Sequence, residues 1–221
     1  MIMHQLDARA GKMLEELGKL VVRESRHLDS IITYDISGKA IPFISGNLWG
    51  RSEWQNFALS VDVPDAKDGF EWFLYATTGR EGKWDAINPQ FLVRVNGKIS
   101  QGFDTNHIRL PLAPQSHSHI DLEGYCPPPE NSISFPYLKL EMCLVDRNLE
   151  HLIYDLKVPF EAAMLIPEDN REREIALEEI SRALDLLDLR DLDRIEFTKS
   201  ISHARTHIKD HYYAPRGQTI P

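Results

Sequence analysis

Apolar residues recur along the chain with two periods, and the changes of period divide the sequence. Residues 5–24 place them mostly three or four apart, which predicts an amphipathic helix: Leu6, Met13, Leu14, Leu17 and Val21. From about 31 to 165 the period is two, and short runs are separated by turn residues. Seven runs predict strands: ITYDI, FALSVDV, EWFLYATT, QFLVRVNGKIS, HIDLEG, YLKLEMCLV and HLIYDLKVPF.

Alternation and turn residues define the character of this middle region. In FALSVDV, alternate residues from Phe57 to Val63 point to one face, because successive strand side chains alternate. Asn96 and Gly97 accept positive φ readily, so VRVNGKIS predicts a tight hairpin. The run CPPPE, residues 126–130, lacks most backbone donors and predicts an exposed loop.

After Pro167 the helical period returns as two apolar stripes joined by LRDLD, which predict two antiparallel helices. The stripes are Ala176, Ile180, Ala183, Leu184 and Leu187, then Phe197, Ile201, Ala204 and Ile208. We therefore predict a mainly β protein with an antiparallel, jelly-roll-like β-sandwich, an N-terminal helix and a C-terminal antiparallel helix pair. The expected divisions are a helical segment over 1–30, the sandwich over 31–167, the helix pair over 168–214, and the start of a further domain at 215–221.

The amino-acid composition and net charge indicate which classes of partner are not expected. The 221 residues are 42% hydrophobic and carry a net charge of −9, which would repel a phosphate backbone. Nucleic acid is thus not an expected partner. Neither a signal peptide nor the roughly 20 apolar residues of a membrane span is visible, so no membrane partner is expected. Cys126 and Cys143 do not make a secreted disulfide framework, and we expect two reduced thiols in a cytoplasmic protein.

Histidines offer one candidate chemistry. His203, His207 and His211 recur every four residues on the second predicted C-terminal helix. The outer two lie about 12 Å apart along a helix axis, whereas a zinc–nitrogen bond is about 2 Å, so one ion cannot bind all three. His203 and His207 could pair on a metal with a third ligand, but packing or charge at the helix C-terminus is the favoured role. His117 and His119 share a strand face without a completing ligand.

Carboxylates and tryptophans offer two further candidate chemistries, glycoside cleavage and sugar stacking. Asp85 and Asp104 are the best acid and base nominees for glycoside cleavage, which needs about 5 Å between carboxyls for retention or about 6.5–9.5 Å for inversion. Asp and Asn at strand ends more often shape turns. Trp54 and Trp72 fit a core, since their neighbours alternate. Trp49 and Trp84 fit either sugar stacking or packing against another domain, and Asn88 and Asn106 could bind hydroxyls beside Trp84.

Four segments in order resemble the region before the catalytic barrel in cytosolic or vacuolar type alpha-mannosidases of glycoside hydrolase family 38. They are SEWQNFALSVDVP, GREGKWDAINPQFLVRVNGKISQGFDTNHIRLPL, HLIYDLKVPFE and ALDLLDLR. The resemblance covers most of residues 40–215, and its most specific parts are EGKWDAINPQ, NGKISQGFDTNH and IYDLKVP. It implies a sandwich and helix pair followed by an α/β barrel that holds a catalytic zinc and an aspartate nucleophile.

By this resemblance, no catalytic residue and no cofactor belong to this chain, because the zinc ligands and the nucleophile lie in the barrel. Its partner would be that barrel, with an oligosaccharide as a further candidate. A rim that fixes loops and faces the barrel would consist of Trp49, Trp84, Asp85, Asn88, Asp104, Asn106 and His107. Two alternatives remain: an autonomous carbohydrate-binding module that uses the Trp84 rim, and a small metal-dependent hydrolase that uses paired histidines.

Overall fold

The computed structural model describes residues 2–35, 37–50, 54–82, 89–126 and 136–219, with side chains from residue 5 onward. The chain forms two compact units. We call residues 23–145 the β unit and residues 1–22 with 146–221 the helical unit.

Within the described residues, strands form a four-stranded and a six-stranded antiparallel sheet, as the alternating pattern predicts. The four-stranded sheet has the order β1-β10-β5-β8, and the six-stranded sheet has the order β3-β2-β4-β9-β6-β7. The strands are β1 (Val22–His27), β2 (Ile31–Tyr34), β3 (Ala40–Phe43), β4 (Trp54–Val63), β5 (Phe70–Thr77), β6 (Gln90–Val95), β7 (Lys98–Phe103), β8 (Arg109–Leu112), β9 (Ser116–Tyr125) and β10 (Lys139–Asp146). The predicted runs omitted β1, β3 and β8.

The sandwich core lies between the two sheets, because both contribute to one buried apolar cluster. Phe57, Leu59, Val61 and Val63 of β4 all point into it, which confirms the predicted face. Leu122 of β9 lies opposite Phe57 in the ladder and is fully buried. Since inward side chains are odd-numbered in β4, its even-numbered side chains point outward.

The Asn96–Gly97 hairpin is confirmed. Their φ angles are 50° and 77°, and Val95 pairs with Lys98 across the turn. Both central residues therefore have positive φ, as a type I′ turn requires. The Asn96 side chain also accepts a hydrogen bond of 2.9 Å from the His119 amide, which ties the turn to β9.

The described part of the helical unit contains four α-helices: α1 (Ile2–Leu20), α2 (Arg147–Met164), α3 (Arg171–Asp185) and α4 (Ile195–Ile208). The predicted C-terminal pair is present as α3 and α4. One apolar cluster joins all four helices, with Leu17, Leu156, Ile180 and Phe197 among its members. A π-helical turn, Lys209–Tyr213, and a 3-10 turn, Ala214–Arg216, follow α4.

The strand prediction for HLIYDLKVPF is wrong, because these residues lie in α2. Asp146 caps the helix by accepting a hydrogen bond of 3.0 Å from the Leu149 amide. The buried residues Leu149, Leu152, Leu156 and Ala163 follow a spacing of three, four and seven, which is helical. Pro159 removes one backbone donor but does not end the helix. The sandwich thus ends near Val145 instead of 167.

Cys126 and Cys143 are both buried, and both carry a thiol instead of a disulfide. Burial raises the pKa of each thiol, so neither is a ready nucleophile. Apart from Cys126, the CPPPE run lies outside the described residues.

Within the described residues, no helix is long and apolar enough to span a membrane.

Candidate functional site

The polar loop after β7 closes on the carboxylate of Asp104. One Asp104 oxygen accepts hydrogen bonds of 2.7 Å from the backbone amides of both Asn106 and His107. The His107 ring nitrogen Nδ1 lies 3.0 Å from both carboxylate oxygens. Burial by itself would raise the pKa of Asp104, but these hydrogen bonds outweigh it and lower that pKa. Asp104 is therefore engaged by its own loop.

The structure brings together Asp104, Asn106 and His107 from the expected rim. Trp84, Asp85 and Asn88 lie outside the described residues. The acid and base pairing of Asp85 with Asp104 thus stays a hypothesis from the sequence, and so does the Trp84 rim.

Trp49 does not fit an exposed rim, and that expectation is wrong. Its indole is 2% exposed and packs against the rings of Phe57 and Phe91, with centroid distances of 5.5 and 4.9 Å. Gly124 makes this possible, since a Cβ there would lie 3.0 Å from the Trp49 ring. The indole nitrogen Nε1 is buried and has no hydrogen-bond partner in the described part of the chain. Trp49 is thus a core residue of the β unit.

The histidines of α4 and of the π-helical turn after it do not converge on a common point. His207 Nε2 lies 2.8 Å from a carboxylate oxygen of the buried Glu179, whose other oxygen accepts a hydrogen bond from Arg182. The His211 ring stacks on His207 at 4.3 Å. His203 is exposed. Considering described residues only, no group of three or more His, Cys, Asp or Glu is placed to hold a metal ion.

His117 and His119 lie on the outward face of β9 and pair with separate neighbours. His117 Nδ1 lies 2.7 Å from Asp62 of β4. His119 Nδ1 lies 3.1 Å from the Ser60 hydroxyl, and its Nε2 lies 3.2 Å from Asp121. Each imidazole is held by its own partners on the sheet, so the two rings do not form a shared site.

The outward face of the six-stranded sheet carries the most exposed aromatic ring among the described tryptophans, Trp54, at 61%. The expectation that Trp54 is core is therefore wrong, whereas Trp72, at 2%, is core as predicted. Tyr125 lies directly opposite Trp54 in the β4–β9 ladder, and the two ring centroids are 4.9 Å apart at 47°.

A cavity lies on each side of the Trp54 indole. The first has a volume of about 440 Å³ and is lined by Trp54, Gln90, Phe91, Leu92, Glu123 and Tyr125. The second has a volume of about 500 Å³ and is lined by Tyr34, Asp35, Gly38, Trp54, Gln55 and Asn56. We call the two cavities together the Trp54 groove. Both volumes fall in the range of roughly 300–1,000 Å³ that is usual for small-molecule sites.

Charges along the Trp54 groove are already matched. Arg94 lies 3.7 Å from Glu123 across neighbouring strands. Asp35 accepts hydrogen bonds from the Ser37 hydroxyl and from the Ser37 and Lys39 amides, which lower the pKa of its carboxyl. Neither carboxylate therefore requires a cationic ligand.

Likenesses to known proteins are weak. Neither a protein-family model nor a curated protein matches the chain. The chain aligns with an FMN-binding beta-glucuronidase from Facaelibacterium prausnitzii L2-6 at a TM-score of 0.41 and 12% identity, over 57% of this chain and 23% of that one. For a beta-D-glucuronidase from Dictyoglomus thermophilum the TM-score is 0.33 and the identity 11%, over 57% and 28% of the two chains.

A third solved structure contains CBM51-2 in complex with GlcNAc and the INT domains from Clostridium perfringens ZmpB. It aligns at a TM-score of 0.25 and 12% identity, over 88% of this chain and 45% of that one. The chain spans about a quarter of the length of the two glucuronidases. Alignments this loose do not assign an activity.

Sequence reasoning missed Trp54 although the sequence contains the signal. Once Phe57 and Val63 are placed inside the sandwich, the period of two puts the even-numbered Trp54 and Asn56 outside. The same parity places Glu123 and Tyr125 outward when Leu122 is inward. What the sequence lacks is the pairing of β4, β9 and β6, which sets these residues side by side.

Proposed function

We propose that this chain is the noncatalytic N-terminal region of an alpha-mannosidase of glycoside hydrolase family 38, and that it packs against and supports a catalytic barrel. The single observation that carries the proposal is the closed Asp104 loop. The segment NGKISQGFDTNH, one of the most specific parts of the resemblance, forms a hairpin turn, a strand and a self-bonded loop. The polar residues of this segment bond to one another and hold the loop in place.

The other segments of the resemblance also coincide with structural elements. SEWQNFALSVDVP contains the whole of β4, and ALDLLDLR includes the end of α3. IYDLKVP lies within α2, whose buried leucines belong to the core of the helical unit. These segments therefore specify packing within each unit, which agrees with a supporting role.

The zinc that the resemblance implies has no set of ligands among the described residues. Under this proposal, zinc chemistry would therefore belong to the barrel. In this role the chain would stabilise a partner domain of a cytoplasmic enzyme that acts on mannosides.

The reading frame after Pro221 provides the first test. We expect the DNA that follows to encode a His-x-Asp motif at the start of a barrel strand, or a separate gene nearby to encode one. A stop codon with no such gene in the same genome would contradict the proposal.

The second test measures support directly. The barrel polypeptide is expressed alone and with residues 1–221 in trans, and its melting temperature and hydrolysis of an aryl α-mannoside are compared. We expect copurification, a higher melting temperature and higher activity when residues 1–221 are present. Unchanged values without copurification would contradict the supporting role. Turnover of the aryl mannoside by residues 1–221 alone, at enzymic speed, would overturn the noncatalytic assignment.

The histidine alternative has its own control. Metal analysis of the purified chain is compared with that of the double variant His203→Ala and His207→Ala. We expect substoichiometric zinc in both, because His207 is engaged by Glu179. Stoichiometric zinc that the double variant loses would favour a metal hydrolase instead.

A further inference from the structure

The Trp54 groove is an exposed site whose lining includes none of the residues of the Asp104 loop. Its central ring, that of Trp54, is 61% exposed, although the removal of a Trp side chain from water is strongly favourable. Tyr34, which lines the second cavity, is 42% exposed. Tyr125 lines the first cavity and contacts the Trp54 ring. Three aromatic rings are thus distributed along an open groove that crosses the sheet.

Side chains that can form hydrogen bonds lie beside these rings on three neighbouring strands. Gln90 lies opposite Tyr125 in the β6–β9 ladder, and Glu123 lies opposite Leu92. On the other side of the indole, Asn56 is the next outward residue of β4. Gln90 and Asn56 are both exposed, so their amides can donate and accept hydrogen bonds.

This arrangement matches the chemistry of a sugar ring. One face of a pyranose carries C–H groups that pack on the electron-rich face of an aromatic ring, while its hydroxyls at the periphery need donors and acceptors. The side chains of Gln90, Glu123 and Asn56 supply both kinds of partner beside the Trp54 ring. A neutral ligand fits, because Arg94 balances Glu123 and the turn at Asp35 satisfies that carboxylate.

We propose that the Trp54 groove binds a neutral oligosaccharide, with one sugar ring stacked on Trp54 and its hydroxyls bonded to Gln90, Glu123 and Asn56. The cavities of about 440 and 500 Å³ on either side of the indole accommodate sugars that precede and follow the stacked ring. The site therefore prefers oligosaccharides to monosaccharides. It does not depend on the relation to a mannosidase, and it uses none of the residues expected for the Trp84 rim.

A protein partner is the competing occupant of this face. Protein interfaces have apolar centres from which charged residues are depleted. Here the Arg94–Glu123 pair and two exposed amides lie among the aromatic rings, and concave spaces of ligand size flank a single indole. These features favour a small polar ligand over a packed protein surface.

The test is titration of the intact chain with mannotriose, cellotriose and maltotriose, followed by tryptophan fluorescence and by isothermal calorimetry. We expect at least one trisaccharide to bind with a millimolar or lower Kd, and the matching monosaccharide to bind more weakly. Trp54→Ala should weaken binding by roughly tenfold or more, because the stacking surface is lost. Trp54→Phe retains an aromatic face and should bind within a few-fold of the native chain.

Tyr154→Ala is the matched control, since Tyr154 is a 55% exposed aromatic residue of the helical unit. It should bind like the native chain, and circular dichroism should show that all three variants are folded. The proposal is overturned if none of the trisaccharides binds at millimolar concentration, or if Trp54→Ala leaves binding unchanged. A dimer in light scattering that Trp54→Ala dissociates would also overturn it, because the groove would then be an interface between copies.

Discussion

The two units of this protein treat polar groups in opposite ways. In the helical unit, ionisable side chains point inward and pair: Asp155 with Arg205 at 2.6 Å, and Glu179 with His207 at 2.8 Å. In the β unit the interior is built from aromatic and aliphatic side chains, whereas Trp54, Gln90 and Asn56 lie exposed on an open sheet face.

The difference indicates where each unit can act. A buried carboxylate that is already paired is not available to a ligand, and the loss of its partner lowers the stability of the fold. The exposed amides of Gln90 and Asn56 lie beside the exposed Trp54 ring and can bind a ligand. In the helical unit, His207 is already paired with Glu179, while the β unit carries the surface that we assign to sugar binding.

The largest expected effect separates two tryptophans that lie five residues apart. Trp49→Ala should lower the free energy of unfolding by about 3–5 kcal/mol, because it leaves a cavity in the core of the β unit. Trp54→Ala should change it by about 0.5 kcal/mol or less, because the ring is on the surface. Urea unfolding followed by tryptophan fluorescence measures both, since the described tryptophans, Trp49, Trp54 and Trp72, lie in the β unit. Similar losses for the two variants would break the comparison.

The second prediction concerns the buried charge of the helical unit. Arg205→Ala should cost about 3 kcal/mol, because it leaves Asp155, whose side chain is 4% exposed, without its cationic partner. Unfolding is followed by circular dichroism at a helix wavelength, which weights the helical unit.

Lys157→Ala is the control for that variant. Lys157 pairs with Glu161 on the surface of α2, with side chains 52% and 64% exposed. Its loss should cost about 0.5 kcal/mol or less. A cost as large as that of Arg205→Ala would show that burial does not set the value of ion pairs here.

A third, smaller effect tests how tightly the β core is built. Gly124→Ala should cost about 1–3 kcal/mol, because the new Cβ would lie 2.9 Å from the Gln55 carbonyl oxygen and 3.0 Å from the Trp49 ring. Gly102→Ala is the matched strand control, since its nearest neighbour would be 3.6 Å away. Thermal unfolding of the two variants should rank them in that order, and the reverse order would contradict the packing described.

The smallest effect concerns the ion pair of an exposed arginine with a half-buried aspartate, Arg190 with Asp188. The Arg190 side chain, hydrogen-bonded to Asp188, lowers the pKa of that carboxyl from 3.8 to about 2. Because the folded pKa is the lower one, the pairing stabilises the fold above pH 3.8 and is lost as the pH falls toward 2. Arg190→Ala should return the pKa toward its ordinary value, as carbon-13 NMR titration of Asp188 would show. An unchanged titration would exclude Arg190 as the cause.

Some features could be predicted from the sequence and others could not. The Asn96–Gly97 turn and the inward face of β4 depend on local φ preference and on alternation, and both were predicted correctly. The helix α2 was mistaken for a strand, because a short apolar run containing Pro159 fits both patterns until its buried partners are known. At the candidate site, Asp104 could be interpreted as a turn residue, whereas Trp49 and Trp54 were assigned to the wrong environments.

The sequence by itself determined the periods, the turn residues and therefore which side chains share a face, because these depend on backbone geometry within a few residues. The tertiary structure decided which face is covered. Trp49 is buried because Phe57, Phe91 and Gly124 come from three strands to enclose it. Trp54 is exposed because β9 and β6 extend the same sheet beside it and leave its outward side open, and only that long-range pairing brings Tyr125, Glu123 and Gln90 to one groove.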